Sequence, residues 1–290
     1  MGNLKALILP LFVSLLAFSN ICVHAKFSKN MYVVWGNQHI SISQGDDQPL
    51  VLDQTSGSGI HSKAAFLYGS IEMLIKLVPG DSAGTVTAFY LSSTGDKHDE
   101  IDFEFLGNRS GQPYTIHTNI YINGFGAREQ QFYPWFDPTT DYHSYVIQWT
   151  PSKVAWIVDG RTIRVYRNYE NMGVPFPNKQ GMRVYTTLWN GENWATRAGQ
   201  EKVNWARSPF TANLRRFRAR ACKWRGVSSI AQCAAKTRAN WWTSPLYNRL
   251  SNRQMAMMKW VRGHQMIYDY CTDTRKFNGN MPKECSLEQF

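Results

Sequence analysis

Three carboxylates stand two residues apart in the segment Glu100-Ile101-Asp102-Phe103-Glu104-Phe105. In an extended chain successive side chains point to opposite faces, so Glu100, Asp102 and Glu104 share one face while Ile101, Phe103 and Phe105 share the other. A solvated strand edge also carries charge. But three like charges at i, i+2 and i+4 repel one another, and the surrounding chain is strongly basic, with a net charge of +11. The pattern suits a reaction that needs carboxylates in different protonation states. Glycoside hydrolysis is one: a carboxylate acts as nucleophile while a carboxylic acid protonates the leaving oxygen. Crowding drives such pKa values apart, and Asp102 between the glutamates shapes a titration that belongs to the group as a whole. Positions i and i+4 of a strand lie about 13 Å apart at Cα, whereas a retaining pair needs its carboxyls about 5–5.5 Å apart. Glu100 and Glu104 must therefore lean inward over Asp102. His98 falls on the same face at the start of the strand and reads as a structural, hydrogen-bonding histidine rather than a base.

These residues need a β-framework. The segment 152–167 reads as a hairpin: Val154, Trp156 and Val158 alternate with Ala155 and Ile157, Asp159-Gly160 makes the turn, and Ile163 and Val165 resume the alternation. Further strands are expected at 69–76, 84–92, 101–105, 115–121, 144–149 and 183–189. Short strands with no helical pattern between them predict an antiparallel sandwich over 26–217. After Phe217 a basic run (Arg215, Arg216, Arg218, Arg220, Lys223, Arg225) changes the character of the chain. Ser251 then opens a helix with a packing stripe at Met255, Met258 and Val261, and Met266 and Ile267 lie beyond. Residues 218–290 read as an extension docked on the sandwich.

Residues 1–25 have the pattern of a signal peptide. Lys5 precedes an apolar run from Ala6 to Phe18, and Val23-His24-Ala25 supplies a cleavage site. The run is too short to span a bilayer comfortably, so the expected product is a soluble, extracellular chain with no membrane anchor. Cys22 leaves with the signal. Cys222, Cys233, Cys271 and Cys285 then allow three pairings, of which the short spacings favour Cys222–Cys233 and Cys271–Cys285. A metal site would want a Cys-x-x-Cys pair or an adjoining His cluster, and neither is present in the sequence. Asn108-Arg109-Ser110 is a glycosylation sequon. The charge surplus could suit nucleic acid, but a secreted protein meets an acidic polysaccharide matrix instead. The 11 Trp, 14 Tyr and 15 Phe suit both a large core and a groove that stacks sugar rings. There is no phosphate-binding loop and no serine nucleophile elbow.

The segment 98–107 resembles the active-site strand of the xyloglucan endotransglucosylase/hydrolases, a family of retaining β-jelly-roll glycosidases. The resemblance continues through Ser110-Gly111-Gln112-Pro113-Tyr114, Thr118-Asn119, Arg128-Glu129-Gln130, Trp135-Phe136-Asp137-Pro138, Leu188-Trp189-Asn190, Trp194-Ala195-Thr196-Arg197, Tyr270-Cys271-Thr272-Asp273 and Glu284-Cys285. It implies a β-jelly-roll with a disulfide-stapled extension. It also implies Glu100 as nucleophile, Glu104 as general acid and then base, and Asp102 as the residue that orients and tunes the nucleophile. Sugar contacts would come from His117, Thr118, Asn119, Arg128, Glu129, Trp189, Asn193, Trp194, Ala198 and Lys276. His117 stands where Gln is common, Ala127 where Asp or Asn is common, and Ala198 where Gly is common; the order Arg275-Lys276 is reversed. The implied activity cuts the β-1,4-glucan backbone of xyloglucan and rejoins it to another xyloglucan end. Carboxylates do all the proton and covalent work, so no metal or organic cofactor is expected. The rival expectations are a plain endo-hydrolase of xyloglucan or a related β-glucan, and a carbohydrate-binding protein without chemistry. No insertion lies between Trp189 and Phe210, where hydrolytic relatives carry a longer loop, and this favours transfer.

Overall fold

A computed structural model describes residues 26–290; the expected signal peptide, with Cys22, lies outside the described residues. A short helix α1 (Phe27–Asn30) leads into β1 (Met31–Trp35), β2 (Asp47–Leu52) and β3 (Ser58–Lys76). Then come β4 (Thr85–Ser92), β5 (Glu100–Leu106), β6 (Thr115–Tyr121) and β7 (Gln130–Phe132). The hairpin strands β8 (His143–Trp149), β9 (Lys153–Val158) and β10 (Arg161–Arg167) follow, with β11 (Met182–Asn190) and β12 (Phe210–Lys223) after them. The chain closes with α2 (Ser229–Ala234), α3 (Asn252–His264) and β13 (Met266–Asp269).

The strands form a curled antiparallel jelly-roll in the order β10-β9-β8-β3-β11-β4-β5-β6-β7-β13, with β1 and β12 added to β3 and β2 to β12. β3 joins the two layers. Its first half pairs with β11 and its second with β8 and β12. Between the halves Tyr68 takes φ 64° and Gly69 φ 134°. A Cβ at Gly69 would sit 2.3 Å from the Cα of Ala221, so the crossing of β3 and β12 admits only glycine. The core between the layers takes the inward residues of both, among them Ile101, Phe103 and Phe105 of β5 and Trp149 and Trp156 of the opposite layer.

Asp159 (φ 47°) and Gly160 (φ 74°) form the predicted hairpin turn, with both residues left-handed as a two-residue turn of that hand requires. Ser251 caps α3 in a reciprocal capping box with Gln254. Met258 packs with Leu250, Ala155 and Val165, laying α3 on the outer face of β9 and β10. Two expectations differ in extent. Met266 and Ile267 leave the helix and enter β13, which pairs with β7. The basic run as far as Lys223 is the second half of β12, which stays paired with β3 as far as Lys223↔Phe66, and Arg225 follows just beyond it. The division expected at 217/218 thus falls within a strand whose Phe217 points inward while Arg216 and Arg220 are exposed. The disulfides Cys222–Cys233 and Cys271–Cys285 are both formed. The first ties α2 to the end of β12, and the second ties the turn after β13 to the C-terminal tail.

Candidate active site

β5 lies between β4 and β6 in the layer that packs across the core from β8–β10. The register opposes Glu100 to Ser92 and Tyr121, Asp102 to Tyr90 and Asn119, and Glu104 to Ala88 and His117. Strand alternation thus places all three carboxylates on the cleft face and Ile101, Phe103 and Phe105 in the core, as the sequence pattern requires. Behind the strand, Trp156 Nε1 donates to the Asp102 carbonyl at 2.8 Å, pinning its centre to the opposite layer.

The three carboxyls have different surroundings. Glu104 is half-buried, and desolvation, reinforced by Glu100 and Glu129, pushes it up to about 7. Asp102 is only 3% exposed, and burial between two glutamates raises it well above the usual carboxylate range. It accepts the backbone N–H of Asn119. Glu100 is also raised by burial, but the Ser92 hydroxyl and His98, whose Nε2 is 4.0 Å away, favour its ionised form. Burial thus raises all three, and of the two glutamates only Glu100 has neighbours that oppose the rise, an asymmetry of the kind a carboxylate pair needs. His98 stacks on Tyr121, and its Nδ1 lies 3.1 Å from the Gly95 carbonyl, in keeping with its structural reading.

Around Glu104 several expected sugar contacts gather. His117 Nε2 lies 3.7 Å from Glu104. Gln131 Nε2 donates to His117 Nδ1 at 3.0 Å, which assigns the ring N–H to the nitrogen facing Glu104. Burial lowers His117 to about 4, leaving a neutral donor. Trp194 meets the His117 ring edge-on at 5.8 Å and lies 6.2 Å from Trp189, with Asn193 and Ala198 exposed on the same loop. Lys276 pairs with Glu129, bringing the disulfide-closed segment of the extension to the rim. Asn108 lies on a surface turn, its amide donating to the Pro113 carbonyl at 2.9 Å.

Two expected contacts, Thr118 and Arg128, are placed elsewhere. Thr118 alternates with His117 and Asn119 and so points into the core, where its hydroxyl accepts from Arg164 at 2.8 Å. Arg128 bonds Glu284 at 2.6 Å and the carbonyls of Phe125 and Gly126, so its guanidinium joins the β6–β7 loop to the C-terminal tail. Asn119 stays beside Asp102 on the cleft face, its amide oxygen accepting the N–H groups of Ile120 and Arg128. A motif carried over residue by residue ignores strand alternation, and Thr118 shows the consequence.

The sequence reading did not single out Ser92 and Tyr90, or Tyr185, which stacks on Tyr90 at 5.1 Å. Their signal was available as the Tyr90/Ser92 alternation of the preceding strand, but only the register connects it to the carboxylates. Arg164, fully buried and bonded to the carbonyls of Thr118 and Arg128, was not distinguished in the sequence from Arg161 and Arg167, three residues to either side, which are less buried.

Residues 27–207 match Glycosyl hydrolases family 16, and residues 236–285 match the Xyloglucan endo-transglycosylase (XET) C-terminus. The chain is 46% identical over 282 residues to xyloglucan endotransglucosylase/hydrolase protein 22 of Arabidopsis thaliana, spanning 96% of this chain and 97% of that protein. It is 47% identical over 275 residues to xyloglucan endotransglucosylase protein 1 of Diospyros kaki, spanning 94% and 92%. Among solved structures, the apo Crh5 transglycosylase superposes with TM-score 0.54 at 24% identity, over 65% of this chain and 77% of that one. A prokaryotic β-1,3-1,4-glucanase (lichenase) gives TM-score 0.53 at 23% identity, over 66% and 92%; likenesses at this identity show the fold. With its jelly-roll, its carboxylate strand and its stapled C-terminal segment, the chain belongs to glycosyl hydrolases family 16 and, within it, to the xyloglucan endotransglucosylase/hydrolases.

Proposed function

We propose that the protein cuts the β-1,4-glucan backbone of xyloglucan and transfers the new end to another xyloglucan chain. Glu100 attacks the anomeric carbon and forms a glycosyl ester as the glycosidic C–O bond breaks. Glu104 gives its proton to the departing oxygen. Once deprotonated, Glu104 takes the proton from an acceptor hydroxyl, which displaces Glu100 and restores the original configuration. Asp102 holds Glu100 in place and shares its titration. The observation that carries this reading is the contrast on one strand face: burial raises both glutamates, pushing Glu104 up to about 7, but only for Glu100 do a hydroxyl, Ser92, and a histidine, His98, oppose the rise.

Transfer wins over hydrolysis only where an acceptor is held and oriented, because water is present at about 55 M and orientation contributes roughly 7–11 kcal/mol to such a step. Trp189, Trp194 and the Glu129–Lys276 pair supply that acceptor rim. Secretion fits the signal-like N-terminus, the sequon at Asn108 and the two disulfides. Among the described residues no helix is long and apolar enough to cross a membrane. Ionic retention on acidic wall polysaccharide is the partner reading of the +11 charge.

The test uses Glu100→Ala and Glu104→Gln, with circular dichroism to confirm folding. Glu100→Ala abolishes turnover. Glu104→Gln loses activity on xyloglucan but regains much of it on aryl glycosides with good leaving groups, which need little acid help. Near-normal turnover in Glu100→Ala, or equal loss across leaving groups in Glu104→Gln, rejects the assignment.

A further inference from the structure

The charge of this chain is confined to one segment. Between Lys202 and Tyr268 lie fourteen of the 32 Lys and Arg residues and none of the 21 Asp and Glu residues, so that segment carries +14 and the rest of the chain −3. It consists of the loop before β12, whose Lys202 bonds the Glu192 carbonyl and Asn193 beside Trp194, then β12, α2, α3, their connections and the start of β13, so that twelve of the fourteen cations follow the start of β12. β12 is paired with β2 and the second half of β3, and α3 lies on the outer face of β9 and β10. Both belong to the layer opposite the carboxylate strand. The molecule is therefore bipolar, with acidic groups in the cleft and cations on the back.

Among the described residues, acidic side chains pair with this segment at three places: Asp47 with Arg215, Glu72 with Arg218, and Asp269 with Arg262 of α3. Arg216, Arg220, Lys223, Arg225, Lys236 and Arg238 are exposed, and among the described residues none of these six has an ion pair. Arg220 lies over the Trp241 ring at 5.4 Å, which fixes the guanidinium against the surface. The Cys222–Cys233 disulfide folds α2 back beside the end of β12, so the cations of the strand and those after α2 form one ridge rather than two. Charges farther apart than about 8 Å are screened at physiological salt. The −3 of the remaining chain therefore does not cancel the ridge.

We propose that this ridge is a docking surface for a carboxylate-bearing polysaccharide, separate from the cleft that turns over neutral glucan. Arginine forks match carboxylates in two-point hydrogen bonds. The disulfide within the ridge places it in an oxidising compartment, where uronate polymers rather than nucleic acids are the abundant polyanions. Docking by the back leaves the cleft open to a neutral chain.

The experiment measures binding of the full chain to polygalacturonate across a salt series, with duplex DNA as a second polyanion. Turnover of xyloglucan oligosaccharides is followed in parallel. One variant carries Arg216→Gln, Arg220→Gln, Lys223→Gln and Arg225→Gln. A control with the same charge loss carries Lys26→Gln, Lys29→Gln, Lys179→Gln and Lys283→Gln. The ridge variant should weaken polygalacturonate binding about tenfold or more, and its slope of log Kd against log salt should fall by roughly 3, at about 0.7–0.9 per lost contact. The control should keep the wild-type slope, and both should keep wild-type turnover. Arg220→Gln alone, a one-residue change at an exposed site, should lower the slope by about one and tests the ridge even if the fourfold variant misfolds. Equal losses in ridge and control variants would refute a local site. Wild-type binding to DNA but not to polygalacturonate would refute the partner class. Because turnover is read separately, failure of the ridge and failure of the catalytic assignment give different results.

Discussion

Glu104 gains its proton from the same burial that costs the fold stability. Its folded pKa, about 7, lies above the 4.5 of a free glutamate, so the native state binds the extra proton between those values. Stability from this group is fully present below about 4.5 and is lost as pH rises through about 7. Glu104→Gln should therefore stabilise the fold at pH 8, by up to about 3 kcal/mol, and raise its melting temperature there, with the gain fading as pH falls from about 7 to 4.5 and absent below that, where the side chain is neutral in both folded and unfolded states. Wild-type kcat should fall on the alkaline side through about 7 as the acid ionises. A pH series of melting curves and rates checks both signs together. Two departures from the family pattern also acquire a physical meaning. Ala127 (φ 65°) and Ala198 (φ 55°) are exposed and left-handed, the conformation that Gly, Asn and Asp tolerate and alanine resists. Ala198→Gly should stabilise by about 0.5–1 kcal/mol, the relief of strain exceeding the entropy glycine adds to the unfolded chain. A lower melting temperature in that variant would contradict the strain reading.

At the scale of elements, the carboxylate strand is held from behind by the opposite layer. Trp156 holds the Asp102 carbonyl, and Arg164, stacked on Trp156 at 4.4 Å, holds the carbonyls of Thr118 and Arg128. Arg164→Met should cost about 2–4 kcal/mol, because it strands those buried carbonyls. It should also lower kcat more than it raises KM, since β6 carries His117 beside Glu104. Denaturant unfolding and steady-state rates measure the two effects. The Cys271–Cys285 loop carries Lys276 to Glu129, so Cys271→Ser with Cys285→Ser should raise KM for acceptor while costing about 2–4 kcal/mol of stability in the extension. What was legible in the chain follows the same local logic. The alternation of β5 gives the faces of all six residues from Glu100 to Phe105, and Asp159-Gly160 gives its hairpin. The 19-residue β3 was seen only in its second half, because residues 58–67 are rich in Gly, Ser, Lys and Ala and become strand through partners on β1 and β11. The places of Thr118, Arg128 and Arg164 depend on contacts far along the chain, which no local pattern encodes.

For the whole molecule, a cleft lined by carboxylates lies on the side opposite a face rich in cations. Glu100, Asp102 and Glu104 line it, Trp189 and Trp194 extend it, and the stapled extension closes its rim at Lys276. The segment 191–209 holds two single-turn 3-10 helices, Thr196–Gly199 and Trp205–Arg207, and no strand or α-helix, leaving the Trp189–Trp194 pair open to an incoming sugar. The most direct test of the central claim supplies xyloglucan with a labelled xyloglucan oligosaccharide at moderate concentration and counts labelled transfer product against new reducing ends. Labelled product in excess of new reducing ends is the predicted result, whereas a predominance of reducing ends would make the chain a hydrolase and contradict the acceptor rim.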